Sequence, residues 1–189
     1  MGALQIIKSE HRNLYRVLHV LRTVGYAMRD GQRFDSALLA AIIDYIDAFP
    51  ERFHHPKENE YLFKALRRVS AVAESTLAEL EKEHHDGPEE IVRLRAALAE
   101  VDGGVEGANA RFADMLVSYA EMGMSHMHKE ESIILPLAAK ELSAEDWAAM
   151  DNAFADNRDP LFSEDAREEM RGLYSRIVAL APAPWGVGD

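Results

Sequence analysis

The chain has no cysteine among its 189 residues, which removes disulfides, thiolate zinc sites, cysteine-ligated iron–sulfur clusters and thiol nucleophiles together. Any metal it holds must be held by nitrogen and oxygen. Positive charge is scarce as well: 21 Lys and Arg stand against 33 Asp and Glu, a formal net charge of -12. No cluster of cations rises out of that background to neutralise phosphates, so neither nucleic acid nor an anionic membrane surface is expected as a partner. Long apolar runs are also missing. The richest, ALLAAIIDYIDAF, is broken by Asp44 and Asp47 well short of a membrane span. The N-terminal MGALQIIKSEH lacks the basic start and apolar stretch of a secretory signal. The expected location is the cytoplasm, and the length favours one domain over residues 1–189.

What is present is helical periodicity. Leu4, Ile7, His11, Leu14, Leu18 and Leu21 recur at steps of three and four, which predicts an amphipathic helix over residues 3–29. Asp35 or Ser36 can cap a second, with Leu39, Ile42, Ile46, Phe49 and Phe53 on one face, ending near residue 68. Pro50 and Pro56 inside it predict a bend or local unwinding. A third helix is expected from Ser70 to Val101, where the DGP at 86–88 allows a break. A fourth over 108–140 carries Phe112, Met115, Tyr119, Met122, His126, Ile133 and Leu137 in register, with Pro136 disturbing its last turns. Four such segments joined by short loops describe an all-α, antiparallel four-helix bundle over residues 3–140. The rest, 141–189, reads as a helical extension packed on the bundle. Ser143 and Asp146 resemble a capping box at the start of its first short helix, and SEDAREEMRGLYSRIVAL suggests a second.

The histidines carry the chemistry. His and Glu four apart share a helix face with Cβ atoms roughly 6 Å apart, close enough to serve one metal centre. Composition alone yields about one such pair by chance. Three occur, at His54/Glu58, His85/Glu89 and His126/Glu130. His126 and Glu130 lie on the apolar stripe of their helix, and an inward carboxylate needs a partner. On the third helix it is His84 that falls on the apolar stripe, whereas His85 stacks with Glu81 and Glu89 on the polar side, which makes His85/Glu89 the chance match.

There is also an internal repeat. His11, His54 and Glu58 recur as His84, His126 and Glu130 with offsets of 73, 72 and 72 residues, and both His11 and His84 follow a glutamate. In an antiparallel bundle this brings a lone histidine from helices one and three, and His-x-x-x-Glu from helices two and four, to one depth of the core. Six nitrogen and oxygen donors with two carboxylates able to bridge exceed what one tetrahedral zinc needs and suit two metals. Iron or manganese is favoured, with zinc and cobalt open. His55 is either an additional ligand or a group beside the ligands. His85 and His128 read as solvated or adjacent groups, His19 as a packed or surface histidine, and Tyr15 and Tyr119 as core packing, with a pocket hydroxyl or an oxidisable ring near the ligands as the alternative.

Glu10-His11, HHPKENEYLF at 54–63, EHHDG at 83–87 and HMHKEESIILP at 126–136 resemble the iron-ligand segments of the hemerythrin family, in particular the bacterial hemerythrin-like domains that bind cations. The resemblance implies a non-haem di-iron centre, with His11, His54, His84 and His126 as terminal ligands and Glu58 and Glu130 bridging. There are departures. Oxygen-carrying hemerythrins have H-x-x-x-H on the third helix and H-x-x-x-x-D on the fourth; here Pro88 stands four after His84, and Glu131 five after His126. The implied activity therefore moves from bulk dioxygen transport to reaction with, or sensing of, dioxygen, peroxide or nitric oxide, with a small diatomic or peroxide ligand as partner. Two other readings stand beside it. One is a non-catalytic iron-binding or sensor module that contacts a second copy or another protein through the C-terminal helices. The other is a ferritin-like centre built on Glu51-x-x-His54 and Glu81-x-x-His84.

Overall fold

The fold is that of a computed structural model, which describes residues 2–155 together with Asp159 and Gly172. Among the described residues there are five helices and no strand. Helix α1 spans Ala3–Arg29, as the periodicity predicts, and buries Ile7, His11, Leu14, Leu18 and Leu21 on its inward face. Helix α2 covers residues 36–69 and starts where Asp35 accepts a hydrogen bond from the Ala37 N–H at 3.0 Å. Its two prolines do not break it. The helix widens instead into π turns over Asp47–His54 and Glu58–Phe63, on either side of a short α turn, His55–Lys57. A proline has no N–H and its ring collides with the carbonyl four residues back, and a wider turn accommodates both defects. The expected unwinding therefore takes the form of extra residues inserted beside the histidines.

Helix α3, Glu74–Asp102, runs without a break through Asp86, Gly87 and Pro88. Helix α4 covers residues 108–141 and carries its own π turn, Glu130–Ile134, just ahead of Pro136. Met122 and Ile133, expected on its core stripe, are 38 % and 39 % exposed. Helix α5, Ala144–Phe154, is capped by the Ser143–Asp146 box. The second C-terminal helix suggested by SEDAREEMRGLYSRIVAL lies outside the described residues, Gly172 excepted.

The core is two clusters with a polar layer between them. One holds Leu14 to Met28 of α1, Leu38 to Phe49 of α2, Ile91 to Leu98 of α3 and Phe112 to Met127 of α4. The other holds Ala3 and Ile7, Leu62 to Leu66, Leu77 and Leu80, Ile134 to Ala138, and Met150 and Phe154 of α5. Each of the first four helices crosses from one cluster to the other in alternating direction, which makes the bundle antiparallel. The residues at the crossing are His11, His54, Glu58, His84, His126 and Glu130. Helices α1 and α4 approach closely at Gly25, where a Cβ would come within 2.7 Å of Val117 Cγ2 and 3.0 Å of the Ala113 carbonyl oxygen. No helix among the described residues is long and apolar enough to cross a membrane.

Candidate metal centre

All six residues at the crossing are buried, with Glu58 at 0 % and Glu130 at 1 % exposure. They form two poles. His11 and His54 bring their Nε2 atoms to 3.3 Å at one pole, and His84 and His126 bring theirs to 2.9 Å at the other. The two carboxylates span the gap. Glu58 places Oε1 3.3 Å from His54 Nε2 and 3.6 Å from His11 Nε2, while its Oε2 lies 3.8 Å from His84 Nε2. Glu130 places Oε2 3.4 Å from His11 Nε2 and Oε1 3.3 Å from His126 Nε2. Donor atoms of His11, His54 and Glu58, and of Glu58, His84, His126 and Glu130, lie within 4.8 Å of one another, close enough in each group to hold a metal ion.

The opposite nitrogen of every one of these histidines is occupied. His54 Nδ1 lies 2.8 Å from Glu10 Oε2, His126 Nδ1 2.7 Å from Glu83 Oε2, His84 Nδ1 2.8 Å from Asn59 Oδ1 and His11 Nδ1 3.2 Å from Glu131 Oε1. An acceptor at Nδ1 fixes the proton there and leaves the Nε2 lone pair pointing at the centre. The arrangement obeys the internal repeat. The glutamate before each lone histidine orients the histidine of the neighbouring His-x-x-x-Glu, and the residue after each inward glutamate orients the lone histidine of the other half. The repeated Glu-His dipeptides were the sequence signal for Glu10 and Glu83; nothing in the sequence pattern singles out Asn59.

Both oxygens of Glu58 and both of Glu130 are buried without a hydrogen-bond partner. Leaving one such group unsatisfied costs about 1–3 kcal/mol, more when it is charged. Four together, faced by four Nε2 atoms, match what divalent cations would satisfy, and the nitrogen–oxygen donor set suits first-row metals. Without metal, protons must do that work. Burial on its own would lower the His11 and His126 pKa values, yet the facing carboxylates, Glu131 and Glu58 for His11 and Glu130 and Glu83 for His126, raise them to about 9 and about 10. Burial opposes charge on His54 too, and Glu58 and Glu10 overcome it. His84 goes the other way, driven down by burial and by the neighbouring His55. Glu58, which burial would raise, is held well below the usual carboxylate range by His54 and His11.

The remaining candidates sort clearly. His55 is half-buried and stacks on His84 with ring centroids 4.1 Å apart; its donor atoms group with those of His84 and His126, and its Nδ1 makes no hydrogen bond. His85 is exposed, and Glu89 is spent on Arg93, in line with a chance match. His128 is exposed and His19 partly buried. Tyr15, expected in the core, is 50 % exposed, because its position faces outward from α1 beside His11. Tyr119 donates to Glu51 Oε1 at 3.1 Å. The ferritin-like ligand set does not assemble: Glu81 forks with Arg67 at the surface, and Glu51 faces His55 and Tyr119 instead of the six-residue cluster.

Comparison with curated proteins and with solved structures returns no match. The model of the hemerythrin HHE cation-binding domain matches residues 2–138. That span holds all six residues at the crossing, and the chain belongs to the hemerythrin HHE cation-binding family.

Proposed function

We propose that His11, His54, His84, His126, Glu58 and Glu130 hold two non-haem metal ions, iron in preference to manganese or zinc, with both glutamates bridging and His55 as a candidate additional donor at the His84/His126 pole. The observation that carries this reading is the set of four buried carboxylate oxygens without hydrogen bonds, faced by histidines whose other nitrogens are already held. When bound, such a pair of ions supplies Lewis acidity and one-electron redox chemistry toward dioxygen, peroxide or nitric oxide.

The chain's own residues have definable tasks in this reading. Glu10, Glu83, Asn59 and Glu131 set the imidazole tautomers, and Phe63, stacked on His84 at 5.4 Å, together with Phe49, 6.3 Å from His54, walls the layer from water. Peroxide disproportionation needs no outside reductant, since one peroxide is reduced to water while a second is oxidised to dioxygen. The test is metal analysis of protein expressed in iron-rich medium, joined to an optical spectrum with and without peroxide. About two irons per chain and a spectrum that responds to peroxide are expected; a metal content near zero overturns the reading.

A non-catalytic sensor is the second reading, favoured by the contact of Phe154 in α5 with the His54 ring at 6.5 Å, which ties the C-terminal extension to the centre. A large metal-dependent rise in melting temperature without turnover would select it, with a second copy or another protein docking through the C-terminal segment.

A further inference from the structure

The duplication makes the ligands symmetric, but the space beside them is not. A cavity of about 60 Å³ reaches the centre, and His84 and His126 line it while His11 and His54 do not. At about 10–15 Å³ for a water, it has room for a molecule of a few heavy atoms. Its walls are chiefly aliphatic, with Leu14, Leu18, Ile46 and Met122 among them. The asymmetry can be read from the repeat. At the offset of 72 that relates α2 to α4, Glu51 corresponds to Gly123 and His55 to Met127, so the Glu51/His55 pair has no counterpart in the other half, and the cleft beside His11 is lined instead by Arg12, Arg16, His128 and Glu131.

Glu51 is 9 % exposed and placed with care. The π turn Asp47–His54 carries it inward, Tyr119 donates to its Oε1, and its Oε2 fits against Gly87, where a Cβ would sit 2.2 Å away. Oε2 has no hydrogen-bond partner; neither has His55 Nδ1, 3.5 Å from it. An acceptor and a ring nitrogen that face each other at 3.5 Å, neither making a hydrogen bond, border a cavity sized for a very small molecule.

We infer that this cavity binds a ligand carrying its own hydrogen-bond donor, a hydroperoxide, at the His84/His126 pole, and that Glu51 steadied by Tyr119 selects it. Dioxygen and nitric oxide have no donor and leave Glu51 Oε2 unmatched, which disfavours them. Hydrogen peroxide can donate to Glu51 Oε2. The inference rests on the proposed metal centre and narrows its ligand class.

The experiment compares iron-loaded wild type, Glu51→Gln and Tyr119→Phe with three probes: hydrogen peroxide, azide and nitric oxide. Glutamine is nearly isosteric but can offer a donor in place of the acceptor. The peroxide concentration giving half-maximal consumption should rise about tenfold in Glu51→Gln, and azide, an acceptor-only anion, should bind about tenfold more tightly. Nitric oxide, disfavoured by Glu51 for the same reason, should also bind more tightly in Glu51→Gln, by a smaller factor than azide because it carries no charge. Tyr119→Phe should weaken the peroxide response in the same direction by a smaller factor. Iron content and melting temperature, measured on each variant, show whether the fold is kept. The inference is overturned if both variants leave peroxide and azide unchanged, or if all three probes weaken together. It also fails if wild type binds azide and nitric oxide but ignores peroxide, an outcome that leaves the metal centre standing. Wild type that takes up no iron would instead defeat the proposed function itself.

Discussion

Glu83 Oε2 lies 2.7 Å from His126 Nδ1, although in sequence Glu83 is the neighbour of His84. One dipeptide thus sends its histidine into the centre and its carboxylate to the histidine of the adjacent helix. Its other oxygen, Oε1, receives Lys129 Nζ at 2.6 Å, so the orienting group is itself oriented.

Removing that orienter should cost metal affinity without costing the fold. Glu83→Ala is expected to weaken metal binding about 10–100-fold, the range found for partners of metal-bound histidines. Glu83→Gln keeps a carbonyl acceptor and should lose less. A chelator competition titration measures both; an unchanged midpoint for Glu83→Ala would show that the 2.7 Å contact does not orient His126.

Metal binding should also release protons. His11 and His126, raised to about 9 and about 10, should each hold a proton at pH 7.5 in the metal-free protein, whereas His84 is pushed down and should be neutral. About two protons are therefore displaced when the Nε2 atoms take metal. The signs are opposite for the two states. Raised imidazole pKa values stabilise the metal-free fold fully below the ordinary value near 6.5, and that stabilisation is lost as pH rises through about 9 to 10. Metal affinity climbs over the same window as the proton competitor leaves. Calorimetry at pH 7.5 in buffers of different ionisation enthalpy counts the protons, and a buffer-independent heat would contradict the assignment.

The site was legible in sequence because its residues obey two simple patterns, the helical stripe and the 72-residue repeat. His84 could be separated from His85 by the stripe alone. The same stripe failed at Ile133, 39 % exposed, where the π turn Glu130–Ile134 breaks the 3.6-residue phase, and at Met122, 38 % exposed, ahead of that turn in regular helix where Leu116, Ala120 and Met127 take the buried positions. Pro50 and Pro56 announced a local distortion but not its kind. A kink would have turned Glu51 away, whereas the π turn keeps the helix and inserts Glu51 beside the cavity. Asn59 and Glu131 were not identifiable as orienters, since they follow the inward glutamates on what a regular helix would present as another face.

Close approach of α1 and α4 predicts a packing defect at Gly25. A methyl there meets Val117 Cγ2 at 2.7 Å and the Ala113 carbonyl oxygen at 3.0 Å, and a carbonyl in a helix cannot move aside as a side-chain tip can. Gly25→Ala should destabilise by about 1–3 kcal/mol despite alanine's better helix propensity. Urea unfolding decides the sign; a stabilised variant would mean the two helices separate at little cost.

Phe154 tests whether α5 is part of the domain. The family match ends at residue 138, so α5 lies beyond it. Phe154 is nevertheless 0 % exposed, joins the cluster of Leu62, Phe63 and Leu77, and meets His54 edge-on with centroids 6.5 Å apart. Lys57 Nζ lies 5.9 Å from the centroid of the same ring. Truncation to alanine removes a large buried ring and opens a cavity against a proposed metal ligand, at a cost of about 3–5 kcal/mol. For a chain of this size, that is a drop in melting temperature of roughly 6–20 °C. Because the lost packing also frees the His54 ring to turn, metal release to a chelator should be faster in Phe154→Ala than in wild type, whereas Ser143→Ala, which only loosens the start of α5, should cost about 1 kcal/mol and leave release unchanged. A melting temperature within about 3 °C of wild type for Phe154→Ala would show that α5 is an appendage on the bundle and not a wall of its polar layer.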